Sequence, residues 1–142
     1  MALETEFWAL VDTANELDAE AARINDDDSA EPVDSNRYVE STYVAICDLV
    51  AQNPKSHELF VRCFCDLMLW QRKSPWMLVP FCMRVLRLSE VRTALANDMD
   101  SHRGTAYYAR RMNYCSSIMH AYLDDVWQDA IMFDAFAHEL QG

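Results

Sequence analysis

Glycine occurs only at Gly104 and Gly142 in this 142-residue chain, and that scarcity removes most β architectures before any other feature is weighed. Tight hairpins need left-handed backbone, which Asn-Gly and Asp-Gly pairs supply most cheaply, and neither dipeptide occurs. Apolar residues instead recur every three or four positions, as one face of a helix requires. The expected fold class is all-α: a compact bundle of about six or seven helices forming one domain over residues 1–142. With 51% hydrophobic residues the chain has material for a core without disulfides or metal.

Phe7, Leu10, Ala14, Leu17, Ala21 and Ile24 alternate steps of three and four, predicting a helix over about 4–24. The stretch NDDDSAEPVDSN, residues 25–36, is polar, holds a proline and lacks periodicity, so it reads as an acidic loop or linker. It lacks the glycine and terminal glutamate of a calcium-binding EF-hand loop. A second helix is predicted over 37–52 with Val39, Tyr43, Ile46, Cys47 and Val50 inward, and a third over 56–72. Ser74 and Pro75 suggest the cap and first residue of the next helix, while Pro80 predicts a kink or restart inside it. Ser89 to about Asn97 reads as a short helix, and NDMDSHRG as a connection. Tyr108, Met112, Cys115, Met119, Tyr122 and Val126 predict one long helix from Thr105 to Trp127, with Trp127 as a core anchor. Ile131, Phe133, Phe136 and Leu140 suggest a terminal helix.

The stretch VRCFCDLMLWQRKSPWMLVPFCMRVLRL, residues 61–88, holds three of the five cysteines. On a helix Cys63 and Cys65 are separated by about 200° and cannot chelate one ion together. No second pair at zinc-finger spacing follows. ICDLVAQNPKS and FCDLMLWQRKS align with identities that include Cys47/Cys65, Asp48/Asp66, Leu49/Leu67 and Ser56/Ser74, and Cys82 follows 17 residues after Cys65. Cys47, Cys65, Cys82 and Cys115 are therefore expected as small core residues, with Cys63 alone on another face and the one to test for reactivity. An odd number of cysteines, an N-terminus without the basic start of a secretory signal, and no run of about 18 apolar residues point to free thiols and a cytoplasmic location, with no membrane partner.

The net charge is −11, unevenly spread. Residues 1–48 carry 13 acidic and 2 basic side chains, residues 49–111 carry 5 and 10, and residues 112–142 carry 5 and none. Such a field repels free nucleic acid and attracts a basic protein. The candidate partner-binding residues are Asp26, Asp27, Asp28, Glu31 and Asp34 in the loop, and Asp124, Asp125 and Asp129 near the C-terminal end. A DNA-mimicking regulator is the alternative, with Glu4, Asp12, Glu16, Asp18 and Glu20 standing for a phosphate track. Arg84, Arg87, Arg92, Arg110 and Arg111, interleaved with tyrosines, form a candidate arginine surface; the flanking negative charge favours their pairing with the acidic first helix. His120 with Asp124, and Asp134 with His138, share helix faces at i,i+4, but the Glu-x-x-His pattern of di-iron bundles is missing, so neither metal nor cofactor is expected. No nucleophile elbow, phosphate loop or zinc-protease motif occurs, which argues against an enzyme.

The stretch LFVRCFCDLMLWQRKSPWMLVPFCMRVLRLSEVRTAL, residues 59–95, resembles a HEAT-type helical hairpin, with a proline near the hairpin and aliphatic residues across both helices. The likeness covers about a quarter of the chain and implies stacked helical-hairpin repeats. In size and charge the chain is also similar to small bacterial immunity proteins, which neutralise a toxin by covering its surface. That likeness implies a non-catalytic module with a basic protein partner.

Overall fold

A computed structural model describes residues 2–141, built from six α-helices and three 3₁₀ segments with no strand among those residues. The helices are α1 (Ala2–Asp26), α2 (Ser35–Ala51), α3 (His57–Met68), α4 (Leu78–Leu86), α5 (Ser89–Ser101) and α6 (Ala106–Leu123). A 3₁₀ turn at Pro54–Ser56 links α2 to α3, and two more, Gln128–Met132 and Asp134–Gln141, form a C-terminal strap. The chain is an all-α bundle. α1 lies along α2, α4 packs against α2 and α6, and α3 packs against α5.

α2 presents the face that its periodicity predicts: Val39, Tyr43, Ile46, Cys47 and Val50 are all buried. It starts at Ser35 because the Asp34 carboxylate accepts the N–H groups of Asn36 (3.0 Å) and Arg37 (3.3 Å), two of the donors a helix start leaves free. α4 is the central helix. Every residue from Leu78 to Arg84 is buried, the all-round apolar pattern of an element enclosed by others. Ser74 and Pro75 precede this helix rather than start it. Pro80 is its third residue, where an N–H has no acceptor within the helix, so the proline costs nothing there and the predicted restart occurs two residues earlier.

α3 ends at Met68, four residues short of the predicted Arg72. Trp70 N–H bonds Leu67 O (3.1 Å) and Gln71 N–H bonds Asp66 O (2.9 Å), the paired bonds of a Schellman ending. That ending requires left-handed backbone, which Trp70 adopts at φ 61 in place of glycine. Such a conformation costs a side-chain-bearing residue about 1–2 kcal/mol. Offsetting contacts come from α6: the Trp70 ring lies 5.5 Å from that of Tyr114 and 5.2 Å from the Arg111 guanidinium. α4 ends similarly, with Arg87 at φ 48.

α5 continues to Ser101, leaving only four residues before α6, where Thr105 Oγ1 caps the Tyr108 N–H at 3.1 Å. α6 differs from its predicted phase and length. Its buried side chains are Arg111, Tyr114, Cys115, Ile118 and Ala121, while Met112 and Val126 are exposed. The stripe read from sequence is turned by one residue, because Arg111 occupies a core position that a polar residue seldom holds. The helix stops at Leu123, where two aspartates would meet the negative end of its dipole.

Trp127 is fully buried, yet on the strap rather than on α6. With Phe133 and Phe136 it packs on Phe81 of α4 and Tyr43 of α2: Phe81 lies 4.9 Å from both phenylalanine rings, and Tyr43 lies 6.1 Å from Phe133. Ile131 and Leu140, predicted inward, face outward. Trp127→Ala should lose about 3–5 kcal/mol in denaturant unfolding, because the aromatic cluster closes this side of the core. Ile131→Ser, at an exposed position of the same strap, should change stability by less than about 0.5 kcal/mol.

Candidate interaction surface

The acidic residues of the first quarter of the chain face outward. Among the described residues only Glu4, 3.4 Å from Arg62, and Asp34, 2.7 Å from Arg37, enter ion pairs there. Asp26 is exposed at the end of α1, and Asp28 and Glu31 are exposed on the loop that follows. Asp27 accepts the Ser29 hydroxyl (2.7 Å) and N–H (2.9 Å), bonds that shape the loop and hold its carboxyl below the ordinary aspartate range. Asp12, Glu16 and Glu20 share the outer face of α1 at steps of about 6 Å along the axis. Glu4 is diverted to Arg62, and Asp18 stands about 200° around the helix from Glu16, so three of the five carboxylates of the imagined phosphate track are aligned.

Arg37 joins the loop to the strap. Its guanidinium holds Asp34 (2.7 Å), Asp134 (3.0 Å) and the carbonyl of Ile131 (2.9 Å). Glu40 adds two bonds, accepting the N–H groups of Asp134 (2.8 Å) and Ala135 (2.9 Å) as a cap on the last 3₁₀ segment. Asp34 is thus partly committed to structure. The acids near the C-terminal end lie around another arginine. Asp124 is half-buried, 3.3 Å from His120 Nδ1, and Asp125 is exposed with no side-chain partner among the described residues. Burial raises the Asp129 carboxyl above the ordinary aspartate range; attraction to His120 opposes this and Asp124 reinforces it.

The arginines do not form one surface, nor do they pair with α1. Arg84 and Arg111 are buried, whereas Arg87, Arg92 and Arg110 are exposed. Arg84 spends all five of its N–H donors: on the carbonyls of Ala121 (3.1 Å), Asp124 (2.8 Å) and Asp125 (3.1 Å), and on both oxygens of Glu139. Arg111 bonds Asp98, the Tyr107 hydroxyl (2.8 Å) and the carbonyl of Met68 at the end of α3. Arg87 donates to Tyr122 O at 3.0 Å, and Arg92 stands 5.8 Å from the Tyr122 ring centre. Periodicity assigned these residues outward because nothing in a sequence marks which carbonyls they will meet.

The assignment of Cys63 and Cys65 is reversed. Cys63 belongs to the inward set Leu59, Phe60, Cys63, Phe64 and Leu67, and burial pushes its thiol up to about 11. Cys65, on the opposite side of α3, is the partly exposed one, although burial and then the nearby Asp66 and Glu90 also raise its thiol. Cys47, Cys82 and Cys115 are buried, with a hydrogen bond between the Cys47 and Cys82 side chains. Asp134 is bonded to Arg37, and no group of three or more His, Cys, Asp or Glu side chains among the described residues could hold a metal ion.

Sequence reasoning passed over two features. Glu139 and Glu40 organise the strap, though each is an isolated acid in the sequence. Val85, Leu123, Val126 and Leu140 are about half exposed, although apolar periodicity would place such residues inside. Fold and surface together define a helical bundle with an acidic first helix and loop and with several exposed apolar side chains near its C-terminal end. Compared with models of known families, with curated proteins and with solved structures, the chain matches none.

Burial drives the Glu139 carboxyl upward, but the bonds from Arg84 and the Trp127 N–H, with the charge of Arg84, outweigh it and hold the group below its ordinary 4.5. A carboxyl depressed by folding stabilises the fold above its unfolded value, and that contribution fades as pH falls through the lower folded value. Thermal unfolding followed by circular dichroism should therefore show a midpoint that falls as pH drops below 4.5. Glu139→Gln should melt lower at neutral pH and lose less on acidification. Peptide mapping after brief maleimide treatment of the folded protein should find Cys65 modified before Cys63, and Cys63→Ser should leave the labelling rate unchanged.

Proposed function

We propose that this protein is a non-catalytic binding module that covers a basic partner protein through its acidic surface, in the manner of an immunity or inhibitor protein. The observation that carries this reading is the disposition of charge. Of the basic side chains of the middle segment, Arg84 and Arg111 are buried with carboxylate partners, while at the surface Arg62 meets Glu4, Arg103 meets Asp100, and Arg72 lies 3.9 Å from the Trp8 ring centre. Most carboxylates of α1 and of the following loop have no such cation and project their charge into solvent. A basic partner approaching this side gains long-range attraction that raises its association rate and weakens in salt. Asp26 at the end of α1, Asp27, Asp28 and Glu31 on the loop, and Asp125 just after α6 are the carboxylates with no cation beside them that can meet it.

Affinity capture on the immobilised protein, at about 0.05 M and about 0.5 M salt and read by mass spectrometry, tests the reading. The expected result is a basic protein retained at the lower salt, released at the higher, and weakened by the combined Asp26→Asn, Asp27→Asn and Asp28→Asn changes. Retention only of neutral or acidic proteins, indifferent to salt, would overturn it. The alignment of Asp12, Glu16 and Glu20 gives DNA mimicry a foothold as the second reading. It would be favoured by a captured protein that DNA displaces from this one.

A further inference from the structure

Among the described residues, four of the nine large apolar side chains left exposed flank a single buried ion pair. Val85 follows Arg84 in α4; Leu123 precedes Asp124, whose carbonyl Arg84 holds; Val126 follows Asp125, whose carbonyl Arg84 also holds; Leu140 follows Glu139, the carboxylate partner of the same guanidinium. Their exposures are 49%, 55%, 58% and 52%. One guanidinium bonded to all three of the other segments brings these chain positions together at one place on the surface. Exposed apolar side chains scattered singly need no explanation, but here four are chain neighbours of the residues that meet at one node, the grouping that an interaction site requires.

The patch also has a sign. No lysine or arginine occurs after Arg111, and the charged groups of the strap are carboxylates. Asp125 is exposed and has no side-chain partner among the described residues, and Asp129 is half-buried with none but the nearby charge of His120. Arg84 offers no compensation to an incoming group, since each of its donors is already used. The exposed Arg87 nearby donates to the carbonyl of Tyr122. An apolar centre with an acidic rim is complementary to an amphipathic helix whose polar face is basic.

We infer that the surface formed by Val85, Leu123, Val126 and Leu140, rimmed by Asp125 and Asp129, docks a basic amphipathic helix of the partner protein. The inference rests on the proposed function and adds to it the place of contact and the shape of what is bound. Aliphatic side chains of the incoming helix cover the four apolar residues, while its lysines or arginines at the flanks of that stripe reach the two aspartates. Burial of half-exposed leucine and valine supplies affinity, and the carboxylates supply orientation and rate.

The probe is a leucine–lysine peptide of about five helical turns in amphipathic order, compared with a scrambled peptide of the same composition, by calorimetric titration at about 0.3 M salt. The amphipathic peptide should bind at least about tenfold more tightly than the scrambled one. Combined Leu123→Ser and Val126→Ser changes should abolish that advantage with an unchanged melting midpoint, since both side chains lie outside the core. Asp125→Asn with Asp129→Asn should weaken the amphipathic peptide and flatten its salt dependence. Equal binding of the two peptides, or a preference untouched by the strap changes but reduced by Asp26→Asn, Asp27→Asn and Asp28→Asn, would overturn the docking site and leave the acidic-module reading standing. No binding of either peptide even at about 0.05 M salt would overturn both.

Discussion

Two buried guanidiniums, those of Arg84 and Arg111, hold helix ends that a chain so poor in glycine has no inexpensive way to close. The last carbonyls of a helix lack partners within it and carry the negative end of its dipole. Glycine ordinarily lets the chain turn back and bond some of them; here arginines reach across from other helices. Arg111 takes the carbonyl of Met68 at the end of α3, and Arg84 takes those of Ala121, Asp124 and Asp125 where α6 gives way to the strap. Burying such a cation carries a desolvation cost of several kcal/mol, which is recovered only when its donors are satisfied and a carboxylate stands beside it. Glu139 and Asp98 are those carboxylates. Arg84 satisfies every donor. Arg111 leaves Nε without a partner and has the faces of Trp70 and Tyr107 beside its guanidinium instead.

Much of the remaining architecture follows from these two contacts. Arg84 lies on α4, the buried centre of the bundle, so its bonds fix where α6 stops and how the strap returns over Phe81 and Tyr43. The strap has only short 3₁₀ turns to stabilise it, and its order comes from Trp127, Phe133 and Phe136 in the core together with Arg84, Arg37 and Glu40 at its edges. Arg111 ties α3, α5 and α6 and supports the left-handed Trp70 at the start of the connector to α4.

The same economy shapes the surface. The two buried arginines are each matched by a carboxylate, so the excess acidity of the sequence stays outside, much of it as outward carboxylates on α1 and its loop. The apolar patch beside the strap has a related origin, since closing the node around Arg84 sets its chain neighbours Val85, Leu123, Val126 and Leu140 at the solvent boundary.

The all-α class, the inward face of α2 and the acidity of the first quarter were legible in the amino-acid order, because helical periodicity and charge are local properties. The loop between α1 and α2 was legible for the same reason, its aspartates and proline breaking the repeat. The tertiary structure alone decided the phase of α6, the early end of α3, and the replacement of a terminal α-helix by a strap, whereas the inward place of Cys63 follows the three-and-four spacing of Leu59, Phe60, Phe64 and Leu67. Those three outcomes depend on polar groups meeting partners far away in the chain: Arg111 is 43 residues from the carbonyl of Met68, and Arg84 is 55 from Glu139. A sequence pattern ranks arginine as an exterior residue because an unpaired buried cation is too costly. Only the assembled fold supplies the carbonyls and carboxylates that make its burial favourable, and with them the surface that those buried contacts leave behind.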